Sequence, residues 1–212
     1  MPCGGASVLE APVIWPSPPW ESLTYWALDL ETGGLDPRSD PILSVGMVPI
    51  RSGGILLGEA YASLVRPGAA EGIAPSSIRA HHLVPGDVRE APPLAQVLGE
   101  VDRRLREGAL VVHQKAVDVP FLRRAYRRAG MRWPGPPVVD TVVLLIRAAK
   151  RARLIDPGAS EQEPDLNLAA ARHRLGLPDY GQHDALTDAI AAAELFLVLR
   201  RRLGARRLRD LT

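Results

Sequence analysis

The fold of this chain is indicated first by an apolar stretch that ends in two acids, Leu23-Thr24-Tyr25-Trp26-Ala27-Leu28-Asp29-Leu30-Glu31-Thr32. The apolar part predicts a buried β-strand over about Leu23–Leu30. Alternate residues of a strand share a face, so Asp29 and Glu31 should lie side by side, roughly 6–7 Å apart at the backbone. That spacing suits side chains that converge on two metal ions about 3.5–4 Å apart. Taken alone, the pair is more typical of solvated acids before a turn at Gly33-Gly34.

The residues after this strand predict an α/β fold with a mixed five-stranded sheet flanked by helices. A second strand, Pro41–Ile50, and a third, Ile55–Val65, are joined by a glycine-rich hairpin turn and should complete an antiparallel meander. Further helices are predicted at Pro75–Ala80, Pro93–Glu107, Asp118–Gly130, Thr141–Arg151, Asp165–Leu175 and Ala185–Leu203, and further strands at Ala109–Val112 and Pro137–Val139. The polar segment Arg153–Pro164 is predicted to be a loop.

Composition limits the class of protein. The 212 residues suit one domain over 22–212, preceded by a Pro-rich and partly disordered tail over 1–21. Within this tail, Trp15 and Trp20 are expected to dock on the domain. Cys3 is the single cysteine, so neither an intrachain disulfide nor a thiolate metal site can form. The N-terminus has no secretory signal and no apolar stretch is long enough to span a bilayer, so we expect a cytoplasmic protein without a membrane partner. The net charge of +2 permits a nucleic-acid partner without indicating one.

Acids and histidines recur where predicted strands meet helices. Asp118 begins a helix shortly after His113, and Asp188 lies one turn inside the last helix, five residues after His183. Asp184 has the position of an N-cap. Asp188 is flanked by alanine, leucine and isoleucine, and a carboxylate buried among such residues needs a metal or another partner. Each residue alone is also compatible with a structural role.

Three segments then occur in a fixed order: Asp-Leu-Glu-Thr-Gly-Gly-Leu (29–35), His-Gln-Lys-Ala-Val-Asp-Val-Pro-Phe-Leu (113–122) and His-Asp-Ala-Leu-Thr-Asp-Ala (183–189). Together they resemble the three exonuclease motifs of the DEDDh family, the DnaQ-like group that includes the proofreading epsilon subunit of bacterial DNA polymerase III. The resemblance extends over about 23–203. Three further segments are similar to the sequence pattern of this family: Ile78–Leu83, Asp140-Thr141 and Leu166–Ala169.

The resemblance implies a ribonuclease-H-like fold and 3′→5′ phosphodiester hydrolysis. It implies that two divalent ions, Mg²⁺ or Mn²⁺, are held by the four acids Asp29, Glu31, Asp118 and Asp188. Oxygen ligands of this kind select such ions over softer metals. His183 would be the general base, and an imidazole with an ordinary pKa is neutral near pH 7.

The resemblance also suggests substrate contacts at Thr32, Leu35, His81 and His113. Four positions depart from the common family pattern and make the details of nucleotide contact less certain: Gly33, His82, Gln114 and Val117. A second group of related nucleases uses Tyr in place of His, and the spacing of Tyr180 and Asp184 fits that group. The position of Asp184 as an N-cap favours His183 instead.

Three functional hypotheses follow. The first is an exonuclease that releases nucleoside 5′-monophosphates from 3′ ends of single-stranded DNA, in proofreading or DNA repair. The second is an exonuclease that trims RNA or degrades oligoribonucleotides, because the same metal site can serve both sugars. The third is a non-catalytic subunit that binds a DNA polymerase, which the complete set of acids with His183 argues against.

Basic residues leave two further points open. Arg123, Arg124, Arg127 and Arg128 would either guide a nucleic-acid strand or form a solvated helix face, and the arginines of 200–209 have the same two interpretations. The chain ends soon after its last helix, from which we expect a stand-alone nuclease or one that docks through its globular surface. The oligomeric state is not predicted.

Overall fold

The sheet is built around one central strand that contains the two acids of the first motif. The structure is a computed structural model that describes residues 17–156, 163–181 and 183–212. Its strands are β1 (Thr24–Thr32), β2 (Ile42–Arg51), β3 (Gly54–Ile55), β4 (Tyr61–Leu64), β5 (Gly108–Val112) and β6 (Val138–Asp140). Its α-helices are α1 (Pro75–His81), α2 (Pro85–Val88), α3 (Leu94–Leu105), α4 (Lys115–Arg128), α5 (Thr141–Ile155), α6 (Leu168–Arg174) and α7 (Ala185–Leu203).

The sheet is mixed, as the sequence predicts. Strand β1 pairs antiparallel with β2 and parallel with β5, and β5 pairs parallel with β6. The hairpin between β2 and β3 turns at Ser52 and Gly53, which both have positive φ. Positive φ at both central residues is the geometry that a two-residue hairpin requires.

The predicted count of five strands is wrong, because the third predicted strand is divided in two. β3 pairs with the end of β2, β4 pairs with its middle, and a 3-10 turn at Leu57–Glu59 separates them. The break lies opposite Pro49, whose carbonyl accepts a bond from Leu56 N but which has no N–H to donate. Within the described residues the sheet therefore has six strands, with β3 and β4 sharing one edge of β2.

Helix boundaries differ from the predicted ones where side chains or distant residues cap the helix. Helix α6 begins at Leu168 rather than Asp165, since Asn167 Oδ1 accepts the N–H of Ala170 and Asp165 Oδ1 accepts that of Asn167. The predicted loop Arg153–Pro164 is helical up to Ile155, and residues 157–162 lie outside the described residues. The short helix α2 is absent from the sequence-based prediction. Over the described ranges, no helix has the length and apolarity needed to cross a membrane.

The two faces of β1 belong to two different core clusters. Trp26, Leu28 and Leu30 pack with α3 and α4, whereas Tyr25 and Ala27 pack with α5 and α7. Asp29 and Glu31 continue the second set, because side chains alternate along a strand. The paired acids therefore face α7, the helix that contains Asp188.

Helix α7 packs so closely against β2 that a side chain at Gly46 would clash with it. Gly46 of β2 lies opposite Asp29 in the strand register. A Cβ atom at Gly46 would lie 2.2 Å from the carbonyl carbon of Ala185 and 2.3 Å from the nitrogen of Leu186. The absence of a side chain at Gly46 thus lets the first turn of α7 rest directly beside Asp29.

Part of the predicted tail packs on the domain. Trp20 is 5% exposed, donates its backbone N–H to Arg206 O at 3.0 Å, and lies under the guanidinium of Arg200. Residues 1–16, including Trp15, lie outside the described residues. The boundary at residues 21 and 22 stays a prediction.

Candidate active site

The first two acids lie at the C-terminal end of β1. Glu31 is 9% exposed and Asp29 is partly buried. The register with β2 shifts directly after them, between Glu31 and Thr32. Such an irregularity twists a strand and changes the direction of the side chains that follow it. The alternation is regular up to Glu31, so both carboxylates face α7 as the sequence predicts.

Asp118 lies in the first turn of α4, and the sequence-based prediction places the start of this helix too late. Helix α4 begins at Lys115, three residues before the predicted start, because the Asp140 carboxylate accepts the N–H groups of Gln114 at 3.1 Å and Lys115 at 3.0 Å. Asp140 also accepts the N–H of Val142 at 3.0 Å. One side chain therefore caps both α4 and α5, and it fixes the first turn that contains the buried Asp118.

Asp184, Asp188 and His183 are held together at the start of α7. Asp184 Oδ1 accepts bonds from the backbone and the hydroxyl of Thr187, which confirms its predicted role as N-cap. His183 has a left-handed backbone with φ 66°, and its N–H donates to Asp188 Oδ2 at 2.8 Å. Non-glycine residues seldom adopt this conformation and often do so at functional sites.

Three of the predicted site residues have the spacing of metal ligands. One candidate ligand atom from each of Glu31, His183 and Asp188 lies within 4.8 Å of the other two. Asp29 lies beside this group, since the negative charges of Asp118, Asp188 and Glu31 all raise its pKa. The structure thus brings together residues from β1, α4 and α7 that are separated by up to 159 positions in sequence.

Burial makes this group of acids unfavourable without a cation. Burial raises the pKa of Glu31 to about 7 and that of Asp118 to about 8. Burial, followed by the neighbouring acids, raises the pKa of Asp29 well above its usual range, and burial also raises that of Asp188. Carboxylates so placed must retain protons or bind positive charge. An all-oxygen set of this kind fits hard divalent ions such as Mg²⁺ and Mn²⁺.

Tyr180, the alternative base, contacts two other side chains through its hydroxyl and its ring. Its hydroxyl donates to Glu194 Oε1 at 2.9 Å, and its ring stacks on the guanidinium of Arg172. His183, by contrast, lies within the group that contains Glu31 and Asp188. His183 as the general base therefore stays a prediction, and the contacts of Tyr180 give that side chain a structural role.

Two predicted substrate contacts have their ring nitrogens engaged within the protein. His81 is buried, accepts the N–H of Leu83 at Nδ1, and donates from Nε2 to Thr32 O at 3.1 Å. His113 donates from Nε2 to Leu166 O at 2.7 Å, and Nδ1 lies 2.8 Å from Thr141 Oγ1. Burial lowers the pKa of both rings and so favours their neutral forms. Both histidines therefore fix segments next to the site.

Leu35 and Thr32 have different surroundings. Leu35 is 89% exposed, so its side chain is available to a nucleotide. The hydroxyl of Thr32 donates to Gly34 O at 2.7 Å and shapes the turn between them. As substrate contacts, all four predicted residues stay predictions.

The arginines of α4 divide into two pairs. Arg124 donates to the carbonyls of Asp40 and Ser39, and both Arg124 and Arg128 pair with Glu71. These two arginines thus hold the loop that follows the first motif. Arg123 and Arg127 are exposed on the same helix, so among the four arginines of α4 the hypothesis of phosphate guidance now applies to these two.

A cavity of about 190 Å³ adjoins the acidic group. Asp29, His113, Asn167, His183 and Asp188 are among the residues that line it. It therefore brings the first-motif acid, the start of α7 and the start of α6 to one space.

Sequence comparison adds an independent result. The profile of the RNase T family, described as exonuclease, matches residues 26–196. A DNA polymerase III subunit epsilon-like protein of Rhodobacter capsulatus is 37% identical over 192 residues, which cover 89% of this chain and 25% of the relative. The DNA polymerase III subunit epsilon of Treponema pallidum is 27% identical over 84% of this chain and 77% of its own length. The chain thus spans only about a quarter of the first of these relatives.

Comparison of structures supports the same fold. Exonuclease I of E. coli, solved in complex with a dT13 oligonucleotide, superposes with a TM-score of 0.73 at 16% identity, over 86% of this chain and 42% of that one. This similarity confirms the ribonuclease-H-like fold, and the profile match and the relatives confirm the resemblance to DnaQ-like exonucleases. The chain belongs to the RNase T exonuclease family.

Proposed function

We propose that this chain is a metal-dependent 3′→5′ exonuclease that acts on single-stranded DNA ends and releases nucleoside 5′-monophosphates. The observation that supports this most directly is the group of Glu31, His183 and Asp188, whose candidate ligand atoms lie within 4.8 Å of one another. Asp29 lines the same cavity as His183 and Asp188, and the charge of Asp118 acts on Asp29. Four acids from three elements are more than capping or packing requires. As ionised groups, they are unfavourable side by side unless they bind cations.

The four carboxylates would hold two Mg²⁺ or Mn²⁺ ions. When bound, such a pair supplies positive charge that stabilises both the attacking and the leaving oxygen of a phosphodiester. The acids would supply the oxygen ligands of these ions, since carboxylates by themselves repel a phosphate anion. His183 accepts the proton of the attacking water, a contribution of about 10²–10⁴-fold in rate.

Support for DNA as the substrate comes from the similar proteins. Two relatives are named as DNA polymerase III epsilon or epsilon-like proteins, and exonuclease I was solved with a DNA oligonucleotide. We propose a role in proofreading or repair on that basis. Association with a DNA polymerase would be tested by co-elution with the polymerase III α subunit of the same organism, and a cytoplasmic location stays a prediction.

The test is degradation of matched DNA and RNA oligonucleotides labelled at the 5′ end, with Mg²⁺, Mn²⁺ or chelator. We expect a 3′→5′ ladder on DNA that chelator abolishes. Asp118→Asn should remove the activity, whereas Glu107→Gln, an exposed acid at the opposite end of β5, should keep it. Faster degradation of RNA would support the RNA hypothesis, and activity that survives chelation would refute the metal mechanism.

A variant separates an enzyme from a non-catalytic subunit. Asp29→Ala should lose nuclease activity because it removes an acid from the centre of the group. Wild-type protein without nuclease activity on either DNA or RNA would support the non-catalytic hypothesis instead.

A further inference from the structure

A buried arginine links two helices to the segment that precedes His183. Arg172 of α6 is 2% exposed. Its guanidinium donates to Ala191 O in α7 and to Pro178 O, each at 2.8 Å. Because a buried guanidinium needs acceptors for its N–H groups, these bonds fix the segment around Pro178 relative to α7.

Two more side chains complete this contact. Glu194 Oε2 of α7 lies 2.7 Å from Arg172 Nη1 and balances its charge. The ring of Tyr180 has its centroid 4.6 Å from Arg172 Cζ, and the Tyr180 hydroxyl donates to Glu194 Oε1. Arg172, Tyr180 and Glu194 are called the arginine clamp below. Each of the three contacts the other two.

The arginine clamp fixes Pro178 and Tyr180, which precede His183 by five and three residues. Tyr180 precedes His183 by three residues, and both line the cavity beside Asp188. Asp188 has separate support, since the first turn of α7 rests on Gly46. His183 lies outside α7, so the helix itself does not hold it, and its backbone N–H is bonded to the Asp188 carboxylate.

We propose that the arginine clamp is a positioning device for His183, which sets the imidazole relative to the acidic group during hydrolysis. The clamp acts through His183 and not through contact with the phosphate. This inference rests on the proposed function, in which His183 is the general base. It also gives Tyr180 a role that differs from that of a base.

Tyr180 is the best side chain for a test. Removal of Arg172 would leave Glu194 without its buried partner, and loss of one member of such a pair is strongly destabilising. Tyr180 is 38% exposed, so its replacement leaves the core intact. Tyr180→Phe removes only the hydroxyl bond to Glu194, and Tyr180→Ala removes the stacked ring as well.

The experiment is a double-mutant cycle with His183→Ala. Single-turnover hydrolysis of an end-labelled single-stranded DNA oligonucleotide is measured with excess enzyme and Mg²⁺. We expect Tyr180→Ala to be slower by about tenfold and Tyr180→Phe by about threefold, since small misplacements of a reacting group have effects of this order. In the His183→Ala background, the same changes should cause no further loss. Equal losses in both backgrounds would overturn the inference, whereas inactive wild-type enzyme would refute the proposed function instead.

A matched control exists on the other face of the sheet. Tyr61 of β4 stacks on Arg104, a mostly buried arginine, at 4.3 Å, and it packs against the cluster around α3 and α4. Tyr61→Ala removes the same kind of contact away from His183. It should lower thermal stability without slowing hydrolysis. If it slows hydrolysis as much as Tyr180→Ala, general destabilisation explains both results and the positioning role is rejected.

The position of His183 also has a direct readout that does not need activity. In wild type its N–H is bonded to Asp188 Oδ2, and the Asp188 N–H is bonded to Asp184 O within α7. In Tyr180→Ala we expect faster exchange of the His183 amide with solvent, measured by NMR, and an unchanged rate for Asp188. Unchanged exchange at His183 would overturn the inference.

Discussion

Replacement of Gly46 by alanine should separate the two halves of the active site. Gly46 pairs with Asp29 across β1 and β2, and the first turn of α7 packs on it. The added Cβ would lie 2.2 Å from both the carbonyl carbon and the oxygen of Ala185. Carbon atoms at rest are about 3.5–4.0 Å apart, so α7 has to move by more than about 1 Å. Asp188 moves with it, away from Asp29.

Two magnitudes follow from this displacement. Overpacking of a well-packed contact costs about 1–3 kcal/mol, and a clash with backbone should lie near the upper end of that range. A displacement of about 1 Å in a catalytic group reduces the rate by about 10²-fold. Since Asp188 would leave the group that contains Glu31, Mn²⁺ binding should weaken as well.

The assay combines urea unfolding, Mn²⁺ calorimetry and kcat on single-stranded DNA. Gly99→Ala is the control, because Gly99 lies inside α3 and a Cβ there meets no atom within 4 Å. That change should stabilise the protein by about 1 kcal/mol and leave kcat unaltered. Folded Gly46→Ala protein with wild-type kcat and Mn²⁺ affinity would show that α7 does not position Asp188 through Gly46.

Three further predictions concern pH, capping and salt. Without metal, the raised pKa values of Glu31, about 7, and Asp118, about 8, mean that the native state holds protons that the unfolded chain has already released. The free energy of unfolding should therefore fall as pH rises from about 4.5 to 8, by about 3 kcal/mol for Glu31 alone. Mg²⁺ should restore the lost stability at pH 8 but have no such effect at pH 5. Urea titrations that show no pH dependence would contradict this prediction. Asp140→Ala should lower the free energy of unfolding by about 1–2 kcal/mol, because it removes the cap of two helices. It should also weaken Mg²⁺ binding through Asp118, as measured by thermal shift. Asp140→Asn keeps one acceptor oxygen and should therefore lose less stability. Replacement of both Arg123 and Arg127 by Gln should reduce the slope of log affinity against log salt for single-stranded DNA by about 1.4, and an unchanged slope would assign them to a solvated helix face.

Local patterns were sufficient for most of the fold and for the identity of the acids. The apolar run before Asp29 defines β1, and the spacing of Asp29 and Glu31 requires only the alternation of a strand. The N-cap at Asp184 and the hairpin at Ser52-Gly53 also depend on nearby residues alone. These features are correct in the sequence-based prediction because short-range geometry determines them.

Several of the errors occur where a residue outside the predicted element intervenes. Pro49 interrupts the pairing that would have made one strand of Ile55–Val65. Asp140, 25 positions beyond Lys115, moves the start of α4 to that residue. Gly46 offered a signal in the sequence, since an isolated glycine inside a strand often marks a close backbone approach. Arg172 offered none, because its partners are known only once α6 and α7 are packed.

The sequence by itself determined the central strand, the order of the three motifs and the residue types needed for a divalent-metal nuclease. The N-cap position of Asp184 already favoured His183 over Tyr180, and the tertiary structure adds that the hydroxyl of Tyr180 is bound to Glu194 while His183 lies beside Glu31. Spacing in the sequence indicates which residues belong to the same element. His183 and Tyr180 lie on the same short segment, so spacing alone does not show which of them contacts the acids. Which of them reaches the acids depends on contacts with α6 and α7, and these exist only in the folded chain.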